Sequence, residues 1–213
     1  GDELYAGNDN QGADTKITFN ATSGANRGDQ FASFPSIDMV MTEEVAYLAT
    51  QKGLYAIDRA ANAKATADVP KLNKEETAMV KSIAEIRDRH KAAAKAGNAD
   101  DLAKATTELN QATGRLTAIS KEKEALNAAR VKWFMAREQL GPLAVAGELG
   151  PMALAGQTLF AGGNGYTVSL DAKTGRLISI YGVNGTVMSL AVADERLFVS
   201  TNLGEIHCLG AED

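Results

Sequence analysis

Apolar and polar positions alternate with a period of two in short runs near both ends of this chain. Through its middle the apolar positions step by three and four instead. The runs Met152-Ala153-Leu154, Leu159-Phe160-Ala161, Tyr166 to Leu170, Arg176 to Tyr181 and Met188 to Val192 each read as a strand. Gly162-Gly163-Asn164-Gly165 and Asp171-Ala172-Lys173-Thr174-Gly175 fall between them, and such Gly, Asn and Asp clusters mark hairpin turns.

The strand pattern recurs. Leu4-Tyr5-Ala6-Gly7 aligns with Leu159-Phe160-Ala161-Gly162, and the segment 17–24 (ITFNATSG) aligns with 168–175 (VSLDAKTG). Weaker copies follow Val45 (VAYLATQKGLYAID) and Arg196 (RLFVSTNLGEIHCLG). A unit that repeats cannot bury its apolar face alone, so neighbouring units must stack to make a core. Phe160 and Phe198 stand about 40 residues apart, a spacing that fits one four-stranded propeller blade. The expected fold is mainly β with an α insert: a partial β-propeller of 3–4 four-stranded blades plus an antiparallel helical hairpin.

The insert interrupts one repeat. After Tyr55-Ala56-Ile57-Asp58 no turn closes, and the missing strand returns only at Arg130-Val131-Lys132-Trp133. Met79, Ile83, Ile86, His90 and Ala93 trace one helical seam. Leu102, Ala105, Leu109, Ala112, Leu116, Ile119, Lys123 and Leu126 trace a second, as in two helices of an antiparallel coiled coil. Pro70 suits the start of the first helix, Ala96-Gly97-Asn98 breaks the pair, and Asn98 suits the N-cap of the second. The second helix, about 30 residues, would run roughly 45 Å. The division is therefore 1–60 and 130–213 for the repeats and 61–129 for the hairpin.

These residues carry a family resemblance. LFAGGNGYTVSLDAKTGRL and VAYLATQKGLYAID are similar to the repeat of quinoprotein-type (pyrroloquinoline-quinone, PQQ) β-propellers, and ARVKWFM resembles its tryptophan-bearing closing strand. The resemblance covers about two thirds of the chain. It implies either a PQQ-dependent dehydrogenase or a cofactor-free interaction scaffold, such as that of bacterial outer-membrane assembly. The scaffold type implies a periplasmic or cell-envelope setting, although this stretch of chain carries no signal peptide of its own. Outside the insert roughly three and a half blades remain, which suggests a piece of a longer propeller or two copies pairing.

Composition narrows the chemistry. The 213 residues include no apolar run long enough to span a membrane. The insert carries 12 Lys and Arg against 10 Asp and Glu, so no strongly basic surface invites nucleic acid. Cys208 is the only cysteine, which rules out the vicinal pair of many quinoproteins and reads as a small buried residue. Trp133 reads as packing, with Ser179 at the matching position of the next unit. His207 and Cys208 are strand neighbours facing opposite ways, and His90 lies on the helical seam. Asn8, Asp9, Asn10 and Asp14 crowd one loop but miss the calcium-loop spacing, so they read as a polar turn. Asn20-Ala21-Thr22 and Asn184-Gly185-Thr186 match a glycosylation pattern short enough to occur by chance.

No catalytic residue, metal ligand or cofactor is assigned. The expectation is a non-catalytic protein-interaction scaffold with a protein partner, a homodimer included. The hairpin is its docking or dimerisation arm, and Gly97 and Asn98 form the contact tip. The alternative is a fragment of a PQQ-dependent dehydrogenase or a small-ligand-binding propeller.

Overall fold

The computed structural model describes residues 3–8, 15–140 and 149–210. The chain divides into two compact units, residues 1–62 with 131–213, and residues 63–130. The first unit holds three antiparallel sheets. One joins β1 (Glu3–Asn8), β2 (Thr15–Asn20) and β3 (Asn26–Asp29). The second joins β4 (Asp38–Met41), β5 (Val45–Thr50), β6 (Gly53–Asp58) and β7 (Val131–Ala136). The third joins β8 (Met152–Ala155), β9 (Thr158–Gly162), β10 (Asn164–Asp171), β11 (Leu177–Ala193), β12 (Arg196–Thr201) and β13 (Ile206–Leu209).

A β-propeller of four-stranded blades is therefore not what forms. The described sheets hold three, four and six strands. The reason lies in β11, where the expected closing strand after Arg176 and the expected opening strand at Met188 are one continuous strand of 17 residues. The stretch between Tyr181 and Met188, expected to separate two strands, lies inside this strand: Gly182 and Thr186 pair with β10, and 183–185 form an irregularity between them. Asn164 pairs with Thr186 and Tyr166 with Gly182, so β10 and β12 become members of one sheet. Gly185 accommodates a φ of 85° there, a backbone that favours glycine.

Burial explains why β5 and β6 are apolar almost throughout. Ala46 and Leu48 of β5 and Ile57 of β6 meet Phe31 and Tyr5 on the side of the first sheet. Tyr47, Ala49, Leu54 and Ala56 meet Leu159, Met152, Tyr166 and Ala172 on the side of the third. The second sheet is thus covered on both faces, and alternation gives way to a continuous apolar run. Leu48, Leu54, Ile57, Leu159 and Leu170 are fully buried. Each contributes roughly 1.5–3 kcal/mol, more than a surface ion pair does. A further layer folds the third sheet on itself, with Phe160 of β9 against Val183, Val187, Leu197 and Val199.

One hairpin design is used three times. In β2–β3, β6–β7 and β10–β11 the register slips by one residue near the connection, leaving Arg27, Lys132 and Ile178 as the unpaired bulge residues. The turns after β2 and β10 are built alike. Asn20 Oδ1 accepts from the N–H of Thr22 and Ser23 (3.1 and 2.7 Å), and Asp171 Oδ1 from the N–H and hydroxyl of Thr174 (both 2.8 Å). Each closes on a left-handed glycine, Gly24 or Gly175. At the third position Asp58 Oδ1 accepts from the Ala61 N–H at 2.9 Å and opens a helix instead of closing a turn. That helix, α1, runs Arg59–Ala96, so Pro70 lies inside it rather than at its start. Asp58 already caps the chain well before Pro70, and alanine-rich sequence propagates the helix from there.

Trp133 ties the second sheet to the third. Its indole N–H donates to the Ala172 carbonyl at 2.9 Å, and its ring lies where a Cβ on Gly175 would be, 2.6 Å from Cδ2. Gly175→Ala therefore meets both the indole and a positive φ, and should cost roughly 2–4 kcal/mol in urea unfolding. In a Trp133→Leu background the steric part disappears and the cost should fall to about 1 kcal/mol. The carboxyls of Asp171 and Asp58 are both held below their ordinary range. The cause is first the Thr174 side chain for Asp171, and first the Ala61 N–H, with Lys132 assisting, for Asp58. Both carboxylates stabilise the native state above the unfolded pKa, and that contribution is lost as pH falls through the folded one. Asp171→Asn should flatten the acid-side decline of the melting temperature below about pH 4.

Candidate interaction site on the helical hairpin

The second unit comprises most of α1 together with α2 (Ala99–Arg130). Its core is the seam read from spacing: Met79, Ile83 and Ile86 of α1 pack with Ala105, Leu109, Ala112 and Leu116 of α2. His90 is half-buried beside that seam. Lys123, also at a seam position, turns its ammonium to Glu76 at 2.6 Å.

Ion pairs flank the seam. Arg115 grips Glu75 with two parallel bonds, Nε to Oε1 at 2.7 Å and Nη2 to Oε2 at 2.8 Å, and Arg89 reaches Glu108 at 2.5 Å. The Arg115 bond holds the Glu75 carboxyl below its ordinary range and raises the guanidinium in return. These pairs join α1 to α2 in one antiparallel register, and sequence reading missed them. The available signal was opposite charge at positions bordering an apolar seam.

The tip is a two-residue connection. Gly97 takes a left-handed φ of 69°, which lets the N–H groups of Gly97 and Asn98 reach back to the Ala94 and Ala93 carbonyls (3.3 and 3.1 Å). Asn98 then caps α2: its Oδ1 accepts from the Asp101 N–H at 3.3 Å and its Nδ2 donates to Asp101 Oδ2 at 2.6 Å. Asp100 and Asp101 lie in the first turn of α2, Lys95 in the last turn of α1, each the sign its helix end favours. Beside the tip is a shallow cavity of about 420 Å³, where Arg89, Asn98, Asp101 and Lys104 surround Ala92 and Ala96. The tip thus combines a fixed backbone, both charge signs and small side chains.

The other candidates resolve individually. Cys208 is exposed rather than buried, on the edge strand of the third sheet among the described residues, with Arg196 Nη1 3.9 Å from its sulfur. His207 faces the other way, 3.2 Å from Glu205. Ser179 pairs hydroxyl to hydroxyl with Ser169 at 2.5 Å. Asn20 uses its side chain within its own turn, and Asn184 donates to Glu205 at 3.1 Å. The loop of Asp9, Asn10 and Asp14 lies outside the described residues. Among the described residues no group of three His, Cys, Asp or Glu side chains is placed to hold a metal, and no helix is long and apolar enough to cross a membrane.

No family model and no curated protein matches the chain. Among solved structures it is similar to the crystal structure of the computationally designed Ika4 protein. The TM-score is 0.50 and the identity 8%, over 100% of this chain and 87% of that one. The likeness concerns fold alone.

The tip geometry depends on Gly97. Gly97→Asn, which tolerates the left-handed region, should leave hairpin stability within about 0.5 kcal/mol, whereas Gly97→Val should cost roughly 1–2 kcal/mol. Thermal unfolding followed by helical circular dichroism distinguishes the two.

Proposed function

We propose that this chain is a non-catalytic interaction scaffold, in which the sheet unit is a rigid base and the helical hairpin is the docking or dimerisation arm. The contact is assigned to the tip around Gly97 and Asn98. The observation that carries this reading is that the hairpin replaces a turn the chain knows how to make. At the equivalent hairpin, Leu170 and Leu177 are joined by Asp171-Ala172-Lys173-Thr174-Gly175-Arg176. Between the paired Ile57 and Val131, the flanking Asp58 and Arg130 are kept, and α1 and α2 stand where four residues suffice. The hairpin brings its own apolar seam and ion pairs, so its presence is not accounted for by the strand pairing it interrupts. The resemblance of its repeats to the quinoprotein type supports a scaffold in a cell envelope, since cofactor-free proteins of that type hold other proteins.

The test uses the shared hairpin design. Residues 59–129 are replaced by Ala-Lys-Thr-Gly, which recreates the β10–β11 connection between Asp58 and Arg130. The sheet unit should retain its cooperative melt and Trp133 fluorescence. In light scattering the intact 22.4 kDa chain should run near twice its mass, or capture a partner, and the shortened chain should do neither. A shortened chain that associates like the intact one would sink the proposal.

A further inference from the structure

We infer that a cavity on the sheet unit, independent of the hairpin, is a binding site for a small aromatic carboxylate. The cavity measures about 230 Å³ and lies between the β5–β6 turn and the segment preceding β4. Phe34, Pro35 and Tyr55 form its apolar wall, and Ser33, Gln51 and Lys52 its polar wall. The volume falls below the range of about 300–1,000 Å³ for drug-sized ligands, so it suits a single ring with a short polar group.

Both walls are held in place before any ligand arrives. Tyr55 stacks on Phe134 with centroids 4.3 Å apart, and Phe34 packs against it from a tilted position at 5.5 Å. The turn that carries Gln51 and Lys52 is fixed by Thr50. Its hydroxyl donates to the Gly53 carbonyl at 2.9 Å and accepts from the N–H of Lys52 and Gly53, both at 3.2 Å. The Lys52 carbonyl accepts from the Arg137 N–H at 3.0 Å. Gly53 lies so close to β7 that an added Cβ would be 2.1 Å from the Met135 carbonyl oxygen.

The unpaired groups on this fixed frame specify the ligand. Among the described residues, the Ser33 and Tyr55 hydroxyls, the Gln51 amide and the Lys52 ammonium make no hydrogen bond or ion pair within the chain. All four can donate, and among the described residues lining the wall the one formal charge, on Lys52, is positive. A planar ring against Phe34 and Tyr55, with a carboxylate toward Lys52, satisfies both walls at once. A cationic ligand is repelled by the Lys52 ammonium, and a purely apolar one leaves the polar wall unmatched.

The experiment titrates sodium benzoate, with benzamide as neutral control, into the full chain labelled with nitrogen-15. Amide shifts are followed in parallel with calorimetry. Expected are saturable benzoate binding with shifts centred on Ser33, Phe34 and residues 50–55, and affinity lowered about five-fold for benzamide and for Lys52→Ala. Lys52→Arg should retain binding. Lys52 is exposed, so the variants are expected to fold, and their amide spectra report this directly. No saturable binding, shifts centred elsewhere, or equal affinity in wild type and Lys52→Ala overturns the assignment. So does a loss in Lys52→Arg as large as that in Lys52→Ala.

Discussion

The contact between Trp133 and the Asp171–Gly175 turn is the constraint on which the sheet unit rests. The indole donates to Ala172, fills the space that Gly175 leaves, and lies 6.0 Å from the ring of Tyr47. It thereby joins the second and third sheets at a place where an aliphatic side chain could not also satisfy the turn's carbonyl. Yet Trp133 sits on β7, the strand that returns only after the whole helical insert. The insert is tolerable because the entropy of loop closure grows slowly with length. Extending a four-residue connection to about seventy is roughly four doublings, or about 2.5 kcal/mol. The burial of one or two core side chains offsets that, and a hairpin whose helices pair internally brings its two ends back together without help from the sheets.

The same logic accounts for where the insert occurs. Asn20, Asp58 and Asp171 stand at one position of a repeated hairpin, and each presents a side-chain oxygen to backbone N–H groups two or three residues on. That bond is common to an Asx-type turn and to a helix N-cap. The next few residues decide between the two. Thr-Ser-Gly and Lys-Thr-Gly supply a left-handed glycine and close the turn. Arg-Ala-Ala-Asn-Ala-Lys supplies helix formers and no glycine, and the chain runs on as α1.

Legibility tracks how local each signal is. Strand alternation, the helical seam, the Asn98 cap and the Gly97 break are all written within a few residues of where they act, and the sequence reading found them. Sheet membership is not local. Whether β11 ends at Gly182 or continues to Ala193 depends on Asn164 and Thr201 pairing with it from either side, and the Gly-Asn-Gly content that suggested a boundary also suits a bend inside a strand. The propeller expectation failed at that point. Pro70 misled for a related reason: a proline marks helix starts by preference, while Asp58 marks this one by a bond. Neither the Arg115–Glu75 clamp nor the donor set around Lys52 has any sequence period, because each joins residues from separate elements.

β7 shows how these features depend on one another. Trp133 and Phe134 are adjacent on a strand and so face opposite ways. One docks the third sheet, and the other stacks on Tyr55 at the cavity wall. A few residues on, the Met135 carbonyl lies under Gly53 and the Arg137 N–H holds Lys52. The register that makes all four contacts possible begins at the Lys132 bulge, where the Lys132 ammonium lies 3.2 Å from the Asp58 carboxylate. A slip of one residue would exchange the faces of Trp133 and Phe134, undoing the sheet stack and the cavity together. The bulge and this ion pair therefore stand where the insert rejoins the sheet. A hairpin of another length suits the same sheets so long as Arg59 and Asn62 keep their bonds to Thr42, Glu3 and Gln30 and Val131 returns opposite Ile57.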